Sequence, residues 1–394
     1  MRPSAIKLFA NAALLAAFVA FYRDTVAQGQ DFLVFYHAAK SGWLRQPIYD
    51  LARDGAMIFK YPPWIIPFFL PYSFFNESVA KCAWAVTQLL SLIYLLFWCK
   101  KSFKISLGMI LLAFFLYWGI WVTHFLDGQV TLVFLAVSLV CISRAEKSIF
   151  FSALAGVLLT TKIYSFLAAV PLFWGREKSR VFYKVAVFFV MLSVLTSAVL
   201  IRHSEVPGLH GLFMLFKQWA QAAASGVRYL GEDKVLGRAN QSLTALVLRG
   251  LWFGFPQVML TIKSTLGVSA DVFLGGLGFL LAGAYLIRIY DRFSFEIYFS
   301  ISLALVPVIH PLPWIHGFAL AFPIFAFVCA KTYENQRYKM LKIVAVFLLC
   351  IASRNTVGAM GEWLELFSAK GFGVLLLVFL ATRSAAPKPI KSEN

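Results

Sequence analysis

Long apolar runs recur along the whole chain and restrict it to one class of fold. Of its 394 residues, 60% are hydrophobic and only 14% are charged, whereas soluble domains carry about 25% charged residues. The runs are continuous rather than alternating, which is typical of membrane-spanning helices and argues against membrane strands. The sequence therefore predicts an all-α polytopic membrane protein.

We expect about twelve transmembrane helices in one integral membrane domain, residues 1–394, with an uncleaved first span. Several runs are shorter than the roughly 20 residues of a full crossing, as expected of broken or tilted helices beside a water-filled cavity. The predicted spans cover residues 6–22, 79–99, 105–123, 128–143, 148–161, 163–175, 182–201, 271–289, 295–309, 317–330, 341–353 and 367–382.

The basic residues predict the orientation of the chain. Its formal charge is +18, from 36 Lys and Arg against 18 Asp and Glu. Most basic residues lie in short gaps on one side of the spans, and the positive-inside rule places that side in the cytoplasm, with both termini and the tail 383–394. The opposite side has the two long outer segments, residues 23–78 and 202–270, and all six histidines. We therefore expect a reaction or binding site on the extracytoplasmic face.

Several familiar sites are absent from the sequence. The five cysteines lie in or beside apolar runs, without the spacing of a zinc site or a disulfide framework. No phosphate-binding loop, dinucleotide fingerprint, His-Glu-x-x-His motif or Asp-x-Asp pair occurs. ATP-driven transport and soluble-type transfer from nucleotide sugars are disfavoured. We predict no cofactor and no metal site, and leave the divalent-metal dependence of the reaction open.

The first outer segment contains the main candidate for a reactive carboxylate, Asp31. Apolar residues follow it at helical spacing, namely Phe32, Phe35, Tyr36, Ala39 and Trp43. The pattern predicts a helix that lies in the membrane interface, with its aromatic side chains at headgroup level. Asp31 stands at the N-terminus of this helix, where a carboxylate can cap the backbone. It is therefore a helix cap, a general base that faces the outer cavity, or a base that capping holds in position.

Two further outer segments have residues that could border a site. Four prolines in residues 59–71, FKYPPWIIPFFLP, exclude a regular helix, and Tyr61 and Trp64 are typical interface anchors. This segment is either a rigid loop or a wall of a substrate groove. In HFLDGQV, residues 124–130, Asp127-Gly128 predicts a tight turn. Gln129 then opens the next span and could bind a sugar or phosphate.

The remaining candidates lie further along the chain. Lys162 falls at the outward tip of a predicted hairpin, where it either snorkels, pairs or meets a lipid phosphate. Arg238, Asn240 and Gln241 belong to a polar loop, and the run Asn-Gln-Ser could cap the next apolar segment. IHPLPWIHGF, residues 309–318, forms an outer turn with candidates to bind a sugar or phosphate: His310, Trp314 and His316.

These motifs resemble, in their order, glycosyltransferase family 87, the polyprenol-phosphate-mannose-dependent mannosyltransferases of bacterial membranes. The shared features are an Asp after the first span, FYHAAKSGWLRQPIYD, FKYPPW, DGQV, TTKIY, NQSL and HPLPWIHGF. The resemblance covers about residues 25–330. It implies a GT-C-type bundle with interface helices in the first outer loop and an extracytoplasmic active site in the bacterial inner membrane.

The resemblance also implies roles for individual residues. Asp31 matches the catalytic base, and Lys162 and His316 match residues expected near the donor phosphate. Tyr164 replaces the family's proline after the lysine, and Ile315 replaces an acid before the histidine, which favours binding over catalysis for that turn. The expected substrate-binding residues are Tyr36, Tyr61, Gln129, Arg238, Asn240, Gln241, His310 and Trp314.

The predicted reaction is transfer of a hexose, with mannose expected, from a polyprenyl-phosphate donor to a lipid or glycan acceptor. A single displacement with an Asp base would invert the anomeric configuration. Two alternatives remain at this point: a transporter or flippase for a lipid-linked or polar solute, and an oligosaccharide polymerase or ligase. The expected partners are the donor, the acceptor and membrane lipids, without nucleic acid.

Overall fold

The computed structural model describes residues 3–44, 46–50, 59–144, 208–229, 236–238, 240–258, 270–310 and 315–384, and residues 167, 187, 190, 191, 194, 195, 197 and 265. All regular elements in these ranges are helical. The α-helices, in chain order, are α1 (Pro3–Ala27), α2 (Gln30–Trp43), α3 (Leu70–Ser73), α4 (Glu77–Phe103), α5 (Leu107–Leu116), α6 (Trp118–Leu126), α7 (Thr131–Arg144), α8 (Gly208–Tyr229), α9 (Leu243–Gly254), α10 (Ala270–Ile289), α11 (Phe295–Ile309), α12 (Phe322–Ala330), α13 (Gln336–Val346), α14 (Arg354–Leu366) and α15 (Ala369–Ser384). Short 3-10 helices cover Pro63–Phe68, Tyr290–Arg292 and Ile315–Ala321, and a π-helical turn, Phe347–Ile351, follows α13.

The all-helical prediction is confirmed, and apolar helices recur along the described residues. Within those residues, α4 and α10 are long and apolar enough to cross a membrane. The number rises to four if the bent pair α5–α6 and the bent pair formed by Gln336–Ile351 with α14 each count as one span. The predicted total of about twelve spans stays a prediction, because the spans 148–161, 163–175 and 182–201 lie almost wholly outside the described residues.

The segment predicted as the span 105–123 is a broken helix. α5 ends at Leu116, and α6 continues at an angle of 66°. Between them, Tyr117 is fully buried, and its hydroxyl donates a hydrogen bond to the carbonyl of Phe318 at 2.8 Å. Its ring lies 4.8 Å from that of Phe325. Apolar periodicity does not reveal such a bend, because both halves remain apolar.

The described residues divide into two compact units. The first comprises Met1–Leu95, Trp121–Lys162 and Tyr183–Gly231, and the second comprises Leu96–Ile120, Ile163–Phe182 and Glu232–Asn394. In the second unit, α11 is buried along most of its length and contacts α10 and α15, while α15 also contacts α12 and α13.

An aromatic core fills the first unit and fixes the orientation of α2. Phe32, Phe35 and Tyr36 are each at most 1% exposed, so the predicted apolar face of the helix is confirmed. The face packs on protein: Phe32 stacks on Trp84 of α4, with 5.0 Å between ring centroids. The predicted position at headgroup level stays a prediction. Trp43, at the other end of α2, is 49% exposed.

The proline-rich segment also packs on this core. As predicted, no regular helix runs through the whole segment: Pro63–Phe68 is a 3-10 helix, and the four-residue α3, which contains Pro71 in its first turn, follows it. Ile65 and Ile66 are fully buried. Trp64 is only 8% exposed and lies 5.4 Å from Trp219 of α8, measured between ring centroids. Trp64 thus packs on protein, and its role as an interface anchor stays a prediction.

Two glycines let the start of α2 approach the turn between α6 and α7. Gly29 and Gly128 both have left-handed backbone angles, with φ of 51° and 67°. A Cβ atom on Gly128 would lie 2.8 Å from the Cα atom of Gly29. The amide of Gly29 donates to the carbonyl of Leu126 at 3.0 Å. The turn predicted at Asp127-Gly128 is thus confirmed.

Replacing Gly128 with alanine should therefore destabilise the protein. The left-handed backbone costs a non-glycine residue about 1–2 kcal/mol, and the contact with Gly29 adds to that cost. We expect a lower thermal midpoint for Gly128→Ala in detergent. Gly119→Ala is the control, since its Cβ atom would meet nothing within 4 Å in α6. Equal midpoints for Gly128→Ala and Gly119→Ala would contradict the close approach.

Candidate functional site

Asp31 lies in the first turn of α2 but is not its N-cap. Gly29 is the N-cap residue and provides no side-chain hydrogen bond. Asp31 is the second residue of the helix and is half-buried. The prediction that Asp31 caps the helix is therefore wrong, because the backbone bonds of Gly29 already define the helix start. The helix dipole still favours a negative charge at this position.

The backbone of Asp31 is bound to the neighbouring turn. Its amide donates a hydrogen bond to the carbonyl of Asp127 at 2.9 Å. Together with the bond from Gly29 to Leu126, this contact fixes the first turn of α2 against the end of α6. Two acidic residues that are far apart in the sequence are thereby joined at one backbone contact.

Tyr61 lies close enough to Asp31 for the charge of Asp31 to affect its pKa. Its ring packs on Phe35, with 4.5 Å between centroids, and Phe35 stands one helical turn after Asp31 on the same side of α2. Burial, and then the charge of Asp31, raise the pKa of Tyr61. Its hydroxyl therefore remains protonated at neutral pH and keeps a proton that it can donate.

Side chains of α1 and α4 form hydrogen bonds to the backbone of the turn that contacts α2. The indole nitrogen of Trp84 donates to the carbonyl of Gly128 at 2.9 Å. The amide of Gln88 donates to the carbonyl of Gln129 at 2.8 Å, and the hydroxyl of Thr25 donates to the carbonyl of Phe125 at 2.8 Å. All three side chains are at most 2% exposed. Each group stabilises a backbone carbonyl within two residues of Asp127.

Two predicted substrate-binding residues are buried near this region of the first unit. Tyr36 is buried, and its hydroxyl donates to the carbonyl of Phe75 at 2.9 Å, which ties α2 to the end of α3. Gln129 is 2% exposed and follows the turn. Their substrate roles stay predictions.

Other predicted residues form a buried joint in the second unit. Ser242 is the N-cap of α9, and its hydroxyl accepts from the amide of Ala245, which confirms the predicted cap. Arg249 donates to the carbonyl of Asn240 at 3.0 Å and to the hydroxyl of Ser368 at 2.7 Å. The side-chain oxygen of Gln241 accepts from the amide of Lys370 at 3.3 Å. Asn240 and Gln241 therefore join the starts of α9 and α15.

Arg238 and the two histidines lie elsewhere in the second unit. Arg238 forms an ion pair with Glu362 of α14. His310 terminates α11 as its C-cap and is partly exposed, whereas His316 is 7% exposed in the 3-10 helix after it. Lys162 and Trp314 lie outside the described residues. The substrate and phosphate roles of these residues stay predictions.

Asp127 is a member of the site that the sequence reasoning did not select. The dipeptide Asp127-Gly128 is typical of a tight turn, and this structural role alone explained the presence of an acid there. An acid in a short turn between two apolar segments on the predicted outer face was the available signal. Among the described residues, no group of three or more His, Cys, Asp or Glu side chains is arranged to hold a metal ion.

Asp127 should make stability depend on pH. Burial raises the pKa of Asp127 from 3.8 to about 6, so the folded state holds this proton more tightly than the unfolded state. Stability is therefore lost as pH rises from about 4 to about 6, by about 1–2 kcal/mol after allowance for solvent screening. Asp127→Asn should raise the thermal midpoint relative to the parent protein at pH 7.5 but not at pH 4.

Asp24→Asn, at the end of α1, is the matched control for this measurement. Its carboxylate is paired with Arg23 at 3.4 Å. We expect no comparable gain for the Asp24 variant at pH 7.5. A difference between parent and Asp127→Asn that stays constant across this pH range would contradict the assignment.

Comparison with known proteins gives a family. The sequence model of glycosyltransferase family 87 matches residues 59–311, more than half of the chain. The match includes Tyr61, Asp127 and Gln129, and begins after Asp31. Neither a search of curated proteins nor one of solved structures found a match. The chain belongs to glycosyltransferase family 87, and it is a glycosyltransferase with the apolar helices of a membrane protein.

Proposed function

We propose that the protein transfers a hexose, with mannose expected, from a polyprenyl-phosphate donor to a lipid or glycan acceptor. Family membership supports the transferase activity. The extracytoplasmic face of a bacterial inner membrane is the proposed location, since the charge distribution assigns most of the acidic residues and all six histidines to that side. The apolar helices are suited to a donor whose long hydrocarbon chain stays in the bilayer.

The proposal assigns the general base to Asp31. The observation that carries this assignment is the hydrogen bond from the Asp31 amide to the Asp127 carbonyl, since it holds Asp31 in a fixed position. The side chain is half-buried rather than enclosed in the aromatic core. A carboxylate that is fixed by its backbone and remains accessible is suited to accept a proton from a bound hydroxyl.

In the proposed reaction, Asp31 accepts the proton of the acceptor hydroxyl as its oxygen attacks the anomeric carbon. The bond from that carbon to the phosphate oxygen breaks, and the polyprenyl phosphate leaves with the electron pair. Lys162 and His316 are proposed to stabilise the charge that develops on the phosphate. One displacement inverts the anomeric configuration.

Tyr61 is proposed to orient the acceptor or the sugar. Its hydroxyl stays protonated beside Asp31, so it can donate a hydrogen bond to a substrate oxygen. The role assigned to Asp127 is to position Asp31 through its backbone carbonyl, which does not require the Asp127 carboxylate.

Replacing the base should strongly lower the rate of hexose transfer without unfolding the protein. We expect Asp31→Asn to lower the initial rate by about 100-fold or more, because a positioned general base contributes about 10²–10⁴-fold. The assay uses the purified chain in liposomes, radiolabelled polyprenyl-phosphate hexoses and a membrane lipid extract as the acceptor. Product is separated by thin-layer chromatography.

Asp24→Asn is the control, since it removes an acid only seven residues away, outside the proposed site. It should retain the parent rate. Equal transfer by the parent protein and Asp31→Asn would exclude Asp31 as the base. If no hexose moved from any polyprenyl-phosphate donor, the proposed donor class would be wrong.

A further inference from the structure

A large apolar groove lies in the second unit, between α9, α10, α11 and α15. Its volume is about 1210 Å³, which exceeds the roughly 300–1,000 Å³ of ordinary small-molecule sites. One side is a stripe of α10 with helical spacing, formed by Leu274, Leu277, Gly278, Leu281, Ala282 and Tyr285. Leu281 is 64% exposed, so the groove is open along its side. Such a shape is suited to a lipid that enters laterally.

Three arginines border one end of this groove. Arg288 and Arg292 follow the α10 stripe, and Arg383 lies near the end of α15. All three are exposed, and within the described part of the chain none of them forms an ion pair with a carboxylate. Arg383 lies over the ring of Phe379, 5.5 Å from its centroid. Exposed guanidinium groups at one end of an apolar groove are complementary to an anionic headgroup with apolar chains.

Polar groups next to the arginines extend the headgroup end of the groove. Tyr285 lies near Thr382 and Arg292, and the Thr382 hydroxyl donates to the carbonyl of Phe379 at 2.8 Å. Both hydroxyl-bearing residues line the groove. They supply neutral hydrogen-bonding groups beside the charged ones, as glycerol or ester oxygens of a phospholipid would require.

The dimensions fit the acyl chains of one leaflet. Leu274 and Arg288 are separated by about 21 Å along α10, at 1.5 Å per residue. One leaflet of the hydrocarbon core is about 15 Å deep. Acyl chains that start at the arginines therefore remain within the apolar part of the groove.

We infer that this groove binds an anionic phospholipid, with its phosphate at Arg288, Arg292 and Arg383 and its acyl chains along α10. Arginine binds phosphate through paired hydrogen bonds. The charge distribution assigns this arginine end to the cytoplasmic side, where basic pockets between helices bind anionic headgroups. The proposed transfer takes place on the opposite face, so the phospholipid is distinct from the sugar donor.

The test compares lipids on the full chain. The protein is reconstituted in nanodiscs of phosphatidylcholine with a minor fraction of phosphatidylglycerol and extracted into detergent. Native mass spectrometry then counts the lipids retained. Affinity is measured by titrating short-chain phosphatidylglycerol. We expect retention of phosphatidylglycerol in preference to phosphatidylcholine.

The triple variant R288Q/R292Q/R383Q should bind phosphatidylglycerol about 100-fold more weakly, since each arginine contributes about fivefold near an anionic lipid. The matched control K101Q/R337Q/K339Q removes three exposed basic residues from the same predicted side, outside the groove, and should bind as the parent does. R383Q alone should lose about fivefold, and it tests the site should the triple variant fail to fold.

Three results would overturn the inference. Equal retention of the two phospholipids by the parent protein would exclude recognition of the charge. An equal loss of phosphatidylglycerol affinity in both triple variants would show that general surface charge, and not this groove, causes the binding. Displacement of phosphatidylglycerol by a lower concentration of polyprenyl phosphate would assign the groove to the donor lipid instead.

Discussion

The close approach of Gly29 to Gly128 is the constraint on which the candidate site depends. Only two residues without side chains, both in left-handed conformations, allow the start of α2 to contact the turn after α6. The amide of Asp31 can then reach the carbonyl of Asp127. Hydrogen bonds from Thr25, Trp84 and Gln88 hold the same turn from the other side. The position of the proposed base is thus fixed by backbone groups.

The aromatic core makes this arrangement rigid. The same face of α2 that begins beside Asp31 continues through Phe32, Phe35 and Tyr36 into the core. Tyr61 packs on Phe35 and senses the charge of Asp31. A residue of the proline-rich segment is therefore placed beside a residue of α2 by aromatic packing, and both belong to the first unit.

Local patterns predicted much of this unit correctly. The spacing of Phe32, Phe35 and Tyr36 predicted the buried face of α2, and Asp127-Gly128 predicted the turn. The sequence could not predict that Gly29 rather than Asp31 is the N-cap of the helix, because the N-cap depends on the backbone conformation with which the chain enters the helix. It also could not predict the backbone hydrogen bond between the amide of Asp31 and the carbonyl of Asp127, because this contact joins distant segments.

The same limit applies to other contacts between distant segments. Trp64 was interpreted as an interface anchor because tryptophan is common at membrane interfaces, and no local pattern indicated that it packs on Trp219 of α8. Tyr117 interrupts a span whose two halves are equally apolar. The ordered motifs were more informative than any one residue, since the family they indicated also matches residues 59–311.

The central claim is that Asp31 acts in the chemical step and not in binding the donor. Single-turnover kinetics test it most directly, with Asp31→Asn loaded with a radiolabelled polyprenyl-phosphate hexose and mixed with acceptor lipids. The account predicts donor affinity within about twofold of the parent and a transfer rate at least about 100-fold lower. An undiminished rate, or a loss explained entirely by weaker donor binding, would contradict it.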